Sequence, residues 1–353
     1  MGDSKVIRVN DLEIFMREAF VLSGVPEPDA EIVTDNLLKA EMKGISSHGL
    51  SRFPVYLQRI QKGLVNPQPQ ISIKKALPGV LAVDGDNGLG SVVMLQALQE
   101  GFGVADEIGV CVLGVKHSNH FGISTYYCEK AAEEGYVSIL LSNGPPATPP
   151  FGGKEPYFGT NPIAFGMPRK SRPHIIVDMA TSVAARGKII RASQKGEEIP
   201  EGWALDQEGY PTTDAKAALA GVLLPIAGPK GAALSLMAEH FSGVLTGAGY
   251  GKGVAWQYSA SEEPANVGHF MVLIKADSFL GESEYEERTE TFVSEIKNLS
   301  RAPGFEAIKL PGEREWEREQ AIFTQGIAMD LDLREQFASV AVKLNLKTEL
   351  FAV

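Results

Sequence analysis

The chain has 353 residues, 44% hydrophobic and 22% charged, with 44 acidic against 33 basic side chains and a net charge of −11. That length suits two domains, or one large domain with an added subdomain, and the composition suits a globular protein with a substantial core. An acidic field repels phosphate backbones and anionic lipid. Nucleic acid and membrane surfaces are therefore excluded as general partners, and an anionic small molecule would need a local pocket of Arg, Lys and His.

In chain order, the first 65 residues read as helical. Asn10 or Asp11 can cap a helix carrying Leu12, Phe15, Met16 and Phe20 at helical spacing. Asp29 can cap a second, with Ile32, Val33, Leu37 and Leu38 inward and Gly44 at its end. A third runs through "SRFPVYLQRIQKG" and stops at Gly63, and "NPQPQ" at 66–70 is a linker. The start, "MGDSKVIRVN", has no apolar h-region, so no secretory leader is expected.

From 75 to 282 short β-rich runs alternate with helical ones: "GVLAVDG", "VCVLGVKHS", "YVSILLSNG", "NPIAFGMP", "HIIVDMAT" and "HFMVLIKA", with helices over 91–108, 122–135 and 230–246. The last 70 residues return to helix. Helical ends around an α/β middle predict an α/β fold in which both termini build one helical subdomain. Its boundaries are 1–75 with 283–353, and the central α/β domain spans 76–282. No apolar run reaches membrane-spanning length. The two cysteines, Cys111 and Cys128, have neither metal spacing nor a disulfide framework, so a reducing, cytoplasmic setting is expected.

A dinucleotide fingerprint is missing. "AVDGDNGLGSVV" has the strand-to-helix context, but Gly85, Gly88 and Gly90 give G-x-x-G-x-G. "TGAGYGKG" at 246–253 follows a helix instead of opening one. An ordinary Rossmann site is not expected.

Five stretches can carry chemistry. In "SSHGLSRFPVY" a helix would align His48, Arg52 and Tyr56 on one stripe. Pro54 moves the regular helix start to near Ser51 and leaves Ser47 and His48 in the turn before it. Ser47, His48 and Arg52 then lie near a helix N-terminus that favours an anion; the plain alternative is a capping serine and a solvated face. In "GVKHSNHFGIS" a buried strand hands His117 and His120 to a turn. Such turns hold catalytic groups, while both histidines could instead cap the turn or, with further ligands that the spacing does not supply, hold a metal. Thr160 and Asn161 read as unpaired polar groups between apolar runs, and Asp178 ends one, where it can cap a helix. Lys230 opens a helix against the dipole, which a neighbouring anion would explain.

Taken together, "SSHGLSRFPVY", "SNHFG", "PFGG", "FGTNPIAFGMP", "DMATS" with "ARGKI", "GPKGAAL" and "LPGERE", in this order, resemble the malate/L-lactate dehydrogenase family of the second type. The resemblance covers roughly residues 5 to 345. It implies a non-Rossmann NAD(P)-binding α/β domain, which accounts for the missing fingerprint, with a helical subdomain and a homodimer. It implies NAD, or alternatively NADP, as cofactor. The substrate it implies is a small anionic 2-hydroxy or 2-keto acid, malate or L-lactate first, with ureidoglycolate, 3-sulfolactate and 2,3-diketogulonate used elsewhere in the family. Carried over by motif, Ser47, His48 and His120 are catalytic, and Arg52, Tyr56 and Thr160 bind substrate. His120, Phe121, Gly122, Asp178, Met179, Ala180, Lys230, Pro311, Gly312 and Glu313 bind the dinucleotide, and no metal is expected. Family members divide over whether the residue matching His48 or His120 is the acid/base. The imine-reducing branch has an acid where this chain has Lys188, which argues against imine reduction. The residue types suit the chemistry, since oxidation of a 2-hydroxy acid needs a base that is unprotonated at neutral pH, which histidine's ordinary value near neutrality supplies, and a fixed cation for the carboxylate.

Overall fold

A computed structural model describes residues 4–257 and 262–352. Strand β1 (Lys5–Ile7) leads into α1 (Val9–Leu22) and α2 (Glu27–Met42). Two 3₁₀ turns, Ser46–His48 and Leu50–Arg52, precede α3 (Phe53–Gln61). The predicted caps differ. Helix α1 starts after Arg8, whose guanidinium pairs with Asp11, and α2 starts after Pro26, so Asp11 and Asp29 are first-turn acids favoured by the dipole and not caps.

The middle of the chain follows as β2 (Ser72–Leu77), β3 (Val80–Asp84), α4 (Gly90–Ile108), β4 (Val110–Ser118), α5 (Ser124–Glu133), β5 (Tyr136–Ser142), β6 (Ile163–Met167) and β7 (Ile175–Met179). Then come α6 (Arg186–Lys195), β8 (Ala204–Leu205), β9 (Pro211–Thr212), α7 (Ala215–Ala220), β10 (Val222–Leu223), α8 (Pro229–Glu239) and β11 (Val267–Lys275). The chain closes with α9 (Glu282–Lys297), α10 (Glu313–Gln325), β12 (Ile327–Met329) and α11 (Leu331–Leu344).

Seven strands form the main sheet in the order β2-β3-β4-β11-β5-β6-β7. Only β3 and β4 are parallel; every other neighbouring pair is antiparallel. A Rossmann sheet is parallel throughout its nucleotide half, so this topology excludes that fold. The expected α/β class with a non-Rossmann sheet is what the chain adopts. Strands β8, β9 and β10 form a small separate sheet that the sequence reading did not foresee, because two-residue strands leave no period to detect.

The two ends of the chain meet. β1 pairs with β12, Lys5 opposite Met329, and Leu12, Phe15, Met16, Phe20, Phe53, Phe337 and Phe351 share one buried cluster. The Phe53 ring sits 5.3 Å from Phe20 and 4.8 Å from Phe337. Helix α9 does not join that cluster: its Val293 packs on Ile175 and Leu310, and Glu290 takes two bonds from Arg169, at 3.1 and 2.9 Å.

Candidate active site

Glu41, near the C-terminus of α2, takes the hydroxyl of Ser46 at 2.7 Å and the backbone N–H of Leu50 at 3.0 Å. These bonds shape the double 3₁₀ turn. A Cβ on Gly49 would lie 2.4 Å from the Glu41 carboxylate and would push it off these bonds. The turn presents Ser47 and His48, whose Oγ and Nδ1 are 2.8 Å apart. Arg52 comes one residue before Phe53, and the aromatic cluster gripping Phe53 therefore sets where the guanidinium starts. Regular helix begins at Phe53, two residues after the predicted start, because the 3₁₀ turns take up Ser46 to Arg52.

His120 arrives from the other side, on the turn between β4 and α5. Its ring stacks on that of His48, with centroids 5.1 Å apart and planes 24° from parallel. Tyr56 reaches its Nδ1 at 2.5 Å, and the Gly122 N–H donates to the same nitrogen at 3.3 Å. Two donors converging on Nδ1 place the neutral ring's proton on Nε2. Gly122 has φ +84°, and a Cβ there would lie 1.6 Å from the Asn36 side-chain oxygen. The turn can therefore press against α2 only as glycine.

Burial decides the charges. His48 is pushed down to about 3 by desolvation and then by Arg52, and His120 is held well below its ordinary value by desolvation, with His48, Arg52 and His269 adding to it. Arg52 falls to about 10, through burial, and stays cationic at neutral pH. The site is thus a fixed cation beside two neutral imidazoles. Such a site can bind a carboxylate on Arg52 and exchange or donate protons at the adjoining atoms.

The remaining predicted residues gather around β7, the last strand of the main sheet, whose outer edge has no strand partner. Asp178, Met179 and Ala180, at its end, are exposed. Asp178 is a cap, but of α5: its carboxylate accepts the Thr125 N–H and hydroxyl, both at 2.9 Å, which fastens β7 to the helix that His120 leads into. The Pro311 carbonyl accepts the Ile176 N–H at 3.2 Å, and Gly312 has φ +91° against the same residue. Glu313 is 5% exposed and turned inward, capping the Leu310 N–H at 3.1 Å and pairing with Lys297. The Thr160 carbonyl accepts the N–H of Thr181 at 2.9 Å, and the Thr181 hydroxyl accepts that of Ser235, on α8, at 2.8 Å. Asn161 is no unpaired group, since its amide donates to Glu239 at 2.7 Å and to the Ser235 carbonyl. Lys230 sits exposed in the first turn of α8 and forms no ion pair among the described residues.

The exposed end of β7 and a bare lysine at a helix start fit a dinucleotide lying by the end of β7. His117 does not enter the site. It faces Asp84 at 3.0 Å, and no group of three or more metal-type ligands occurs among the described residues. The sequence reading missed Glu41, Asn36, Thr125, Ser235 and Glu239. Only Glu41 left a signal, an acid placed against the dipole at a helix C-terminus.

Comparison with known proteins agrees over nearly the whole chain. Residues 7–338 match the family model described as malate/L-lactate dehydrogenase. The L-sulfolactate dehydrogenase of Methanocaldococcus jannaschii is 40% identical over 92% of this chain and 93% of its own. The malate dehydrogenase of Pyrococcus horikoshii is 37% identical over 98% of each. The (2R)-3-sulfolactate dehydrogenase (NADP(+)) of Chromohalobacter salexigens is 37% identical over 88% of this chain and 91% of its own. A solved structure of sulfolactate dehydrogenase from Methanocaldococcus jannaschii matches with a TM-score of 0.92 at 37% identity, covering 98% of this chain and 99% of that one. The chain belongs to the malate/L-lactate dehydrogenase family and is a pyridine-nucleotide-dependent dehydrogenase of small hydroxy acids.

Proposed function

We propose that the protein oxidises malate or L-lactate to the 2-keto acid, and reverses the reaction, with NAD as the first cofactor to test and NADP the alternative. A second reading, 3-sulfolactate as substrate, is favoured by the name of the relative at 40% identity. The carrying observation is the stacked pair of neutral imidazoles, His48 and His120, in the field of a half-buried Arg52.

Arg52 binds the substrate carboxylate as a fork, which places the neighbouring hydroxyl by the imidazoles. His48 is the base. The Ser47 hydroxyl can accept from its Nδ1–H, leaving Nε2 unprotonated for the substrate's hydroxyl proton. His120, with its Nδ1 already accepting from Tyr56 and Gly122, offers Nε2–H to the substrate oxygen and stabilises the carbonyl that forms. A bound nicotinamide dinucleotide supplies the hydride acceptor. Asp178, Met179, Ala180, Lys230 and the backbone of Pro311 to Gly312 orient it along β7, with Thr160 completing the wall on the substrate side. A homodimer is part of this reading; the exposed Leu236, Val244 and Leu245 at the end of α8 support it, and light scattering on the purified protein tests it.

The test is a panel of 2-hydroxy acids, malate, L-lactate and 3-sulfolactate among them, run with NAD and with NADP and followed at the nicotinamide absorbance. Turnover of at least one acid is expected, and no turnover with either dinucleotide overturns the reading.

A further inference from the structure

His269 lies on β11, in the middle of the main sheet, and is fully buried. A core strand position normally takes an apolar side chain, so an imidazole there needs an account. Both of its nitrogens are used. Nδ1 is 2.8 Å from the Ser142 hydroxyl, directly opposite on β5, and Nε2 is 2.9 Å from the Ser118 hydroxyl on β4. In the neutral ring one nitrogen donates to its hydroxyl and the other accepts from its own, so both serines are held in either tautomer. The imidazole face stacks on Phe121, with centroids 4.3 Å apart and planes 11° from parallel.

The reach to Ser118 depends on an irregularity. The register of β11 on β4 shifts between Val267 and His269, and a bulge of this kind re-aims the side chain that follows it. Gly268 fills the shift, where a Cβ would lie 1.8 Å from the Ser242 carbonyl oxygen. Ser118 and Phe121 are the two residues that bracket Asn119 and His120. One side chain therefore grips the turn before and after the imidazole at the centre of the proposed site, by a hydrogen bond on one side and by ring stacking on the other.

We propose that His269 is a positioning residue that fixes the aim of the His120 ring. The inference rests on the functional reading above, in which His120 donates Nε2–H to the substrate oxygen. Desolvation holds the His269 imidazole down to about 3, so it keeps its neutral, two-bond form across the working pH range. The Phe121 stack orients the Gly122 side of the turn, and the Ser118 bond orients the His120 side.

A double-mutant cycle tests the hydrogen bond. His269→Phe keeps an aromatic ring for the stack and loses the bonds to Ser118 and Ser142; Ser118→Ala removes the Ser118 bond alone, from the other end. Each should lower kcat about tenfold while NADH affinity stays within about twofold, and the double variant should be no worse than either single one. A purely structural role would lower Tm and leave kcat per folded molecule unchanged. Unchanged kcat in both single variants overturns the proposal, and so do losses that multiply in the double variant. If His269→Phe does not fold, Ser118→Ala decides alone: a lowered kcat supports the proposal and an unchanged one defeats it. A wild-type protein inactive on every acid would defeat the functional reading instead, so the two failures are distinguishable.

Discussion

At the scale of single residues the site separates into a cation, a base and a donor, and each can be removed alone. Arg52→Lys keeps the charge and loses the fork, so kcat/KM on the preferred acid should fall roughly 10- to 100-fold. An unchanged kcat/KM on every accepted acid would remove Arg52 from the carboxylate site. The two histidines differ in what holds their Nδ1: a hydroxyl that can accept for His48, two converging donors for His120. His48→Ala should therefore lose about 10²–10⁴ in kcat together with the ionisation of the base, while His120→Ala should mainly raise KM for the acid. The pH profiles of both variants at saturating dinucleotide decide, and survival of the ionisation only in His48→Ala reverses the roles. Lys230→Ala should weaken NADH binding and leave Tm in place, because that side chain is exposed and forms no ion pair among the described residues. Titration of NADH against the variant measures it, and unaltered affinity makes Lys230 a surface residue.

At the scale of elements, what was legible in the sequence was what has a period or a capping signature. Most long helices and all six strand runs quoted from the middle of the chain appear within a few residues of the ranges read. The site was legible as separate motifs. Their convergence was not, because it depends on long-range bonds such as Asp178 to Thr125 and Ser235 to Thr181, which no local spacing encodes. The clearest case is Lys43. Its side chain is 1% exposed, with its ammonium 2.7 Å from Glu129 on α5 and 2.5 Å from Glu319 on α10. In sequence it is one more charge at a helix end. In the fold it clamps together the helix before His48, the helix after His120 and the helix that opens with Glu313. Removing one member of a buried ion cluster strands the others, so Lys43→Met should cost about 3–5 kcal/mol of stability, and Lys43→Arg should recover part of it. Urea unfolding of the two variants measures this, and a Met variant as stable as the parent would show the cluster to be a solvated ornament.

At the scale of the whole molecule, the antiparallel sheet and the joined termini bury the histidines His174 and His269 and leave His48 and His120 half-buried. Of the six in the chain, His48 and His269 are driven down to about 3, His174 to about 4, and His120 well below its ordinary value, in each case chiefly by burial. In the unfolded chain such groups bind protons near pH 6.5. Between about pH 6.5 and 3 the unfolded state therefore holds more protons than the folded one, and stability must fall as pH falls through that window. Above pH 7 these groups contribute no pH dependence. Asp84 and Glu290, whose carboxylates are held below their ordinary values by hydrogen bonds and neighbouring cations, act with the same sign but only at lower pH. Asp29, Glu129, Asp178 and Glu239, whose carboxyls desolvation raises, act with the opposite sign, so the share of each imidazole is read from its own variant. For the fully buried His269 alone the loss amounts to about 2 kcal/mol at pH 5. Urea midpoints at pH 8, 6.5 and 5 should be level over the first interval and fall over the second, and His269→Phe should fall less than the parent. A His269→Phe variant that falls as steeply as the parent would mean that this imidazole titrates as in water, and desolvation would lose its place as the cause of the neutral rings in this fold.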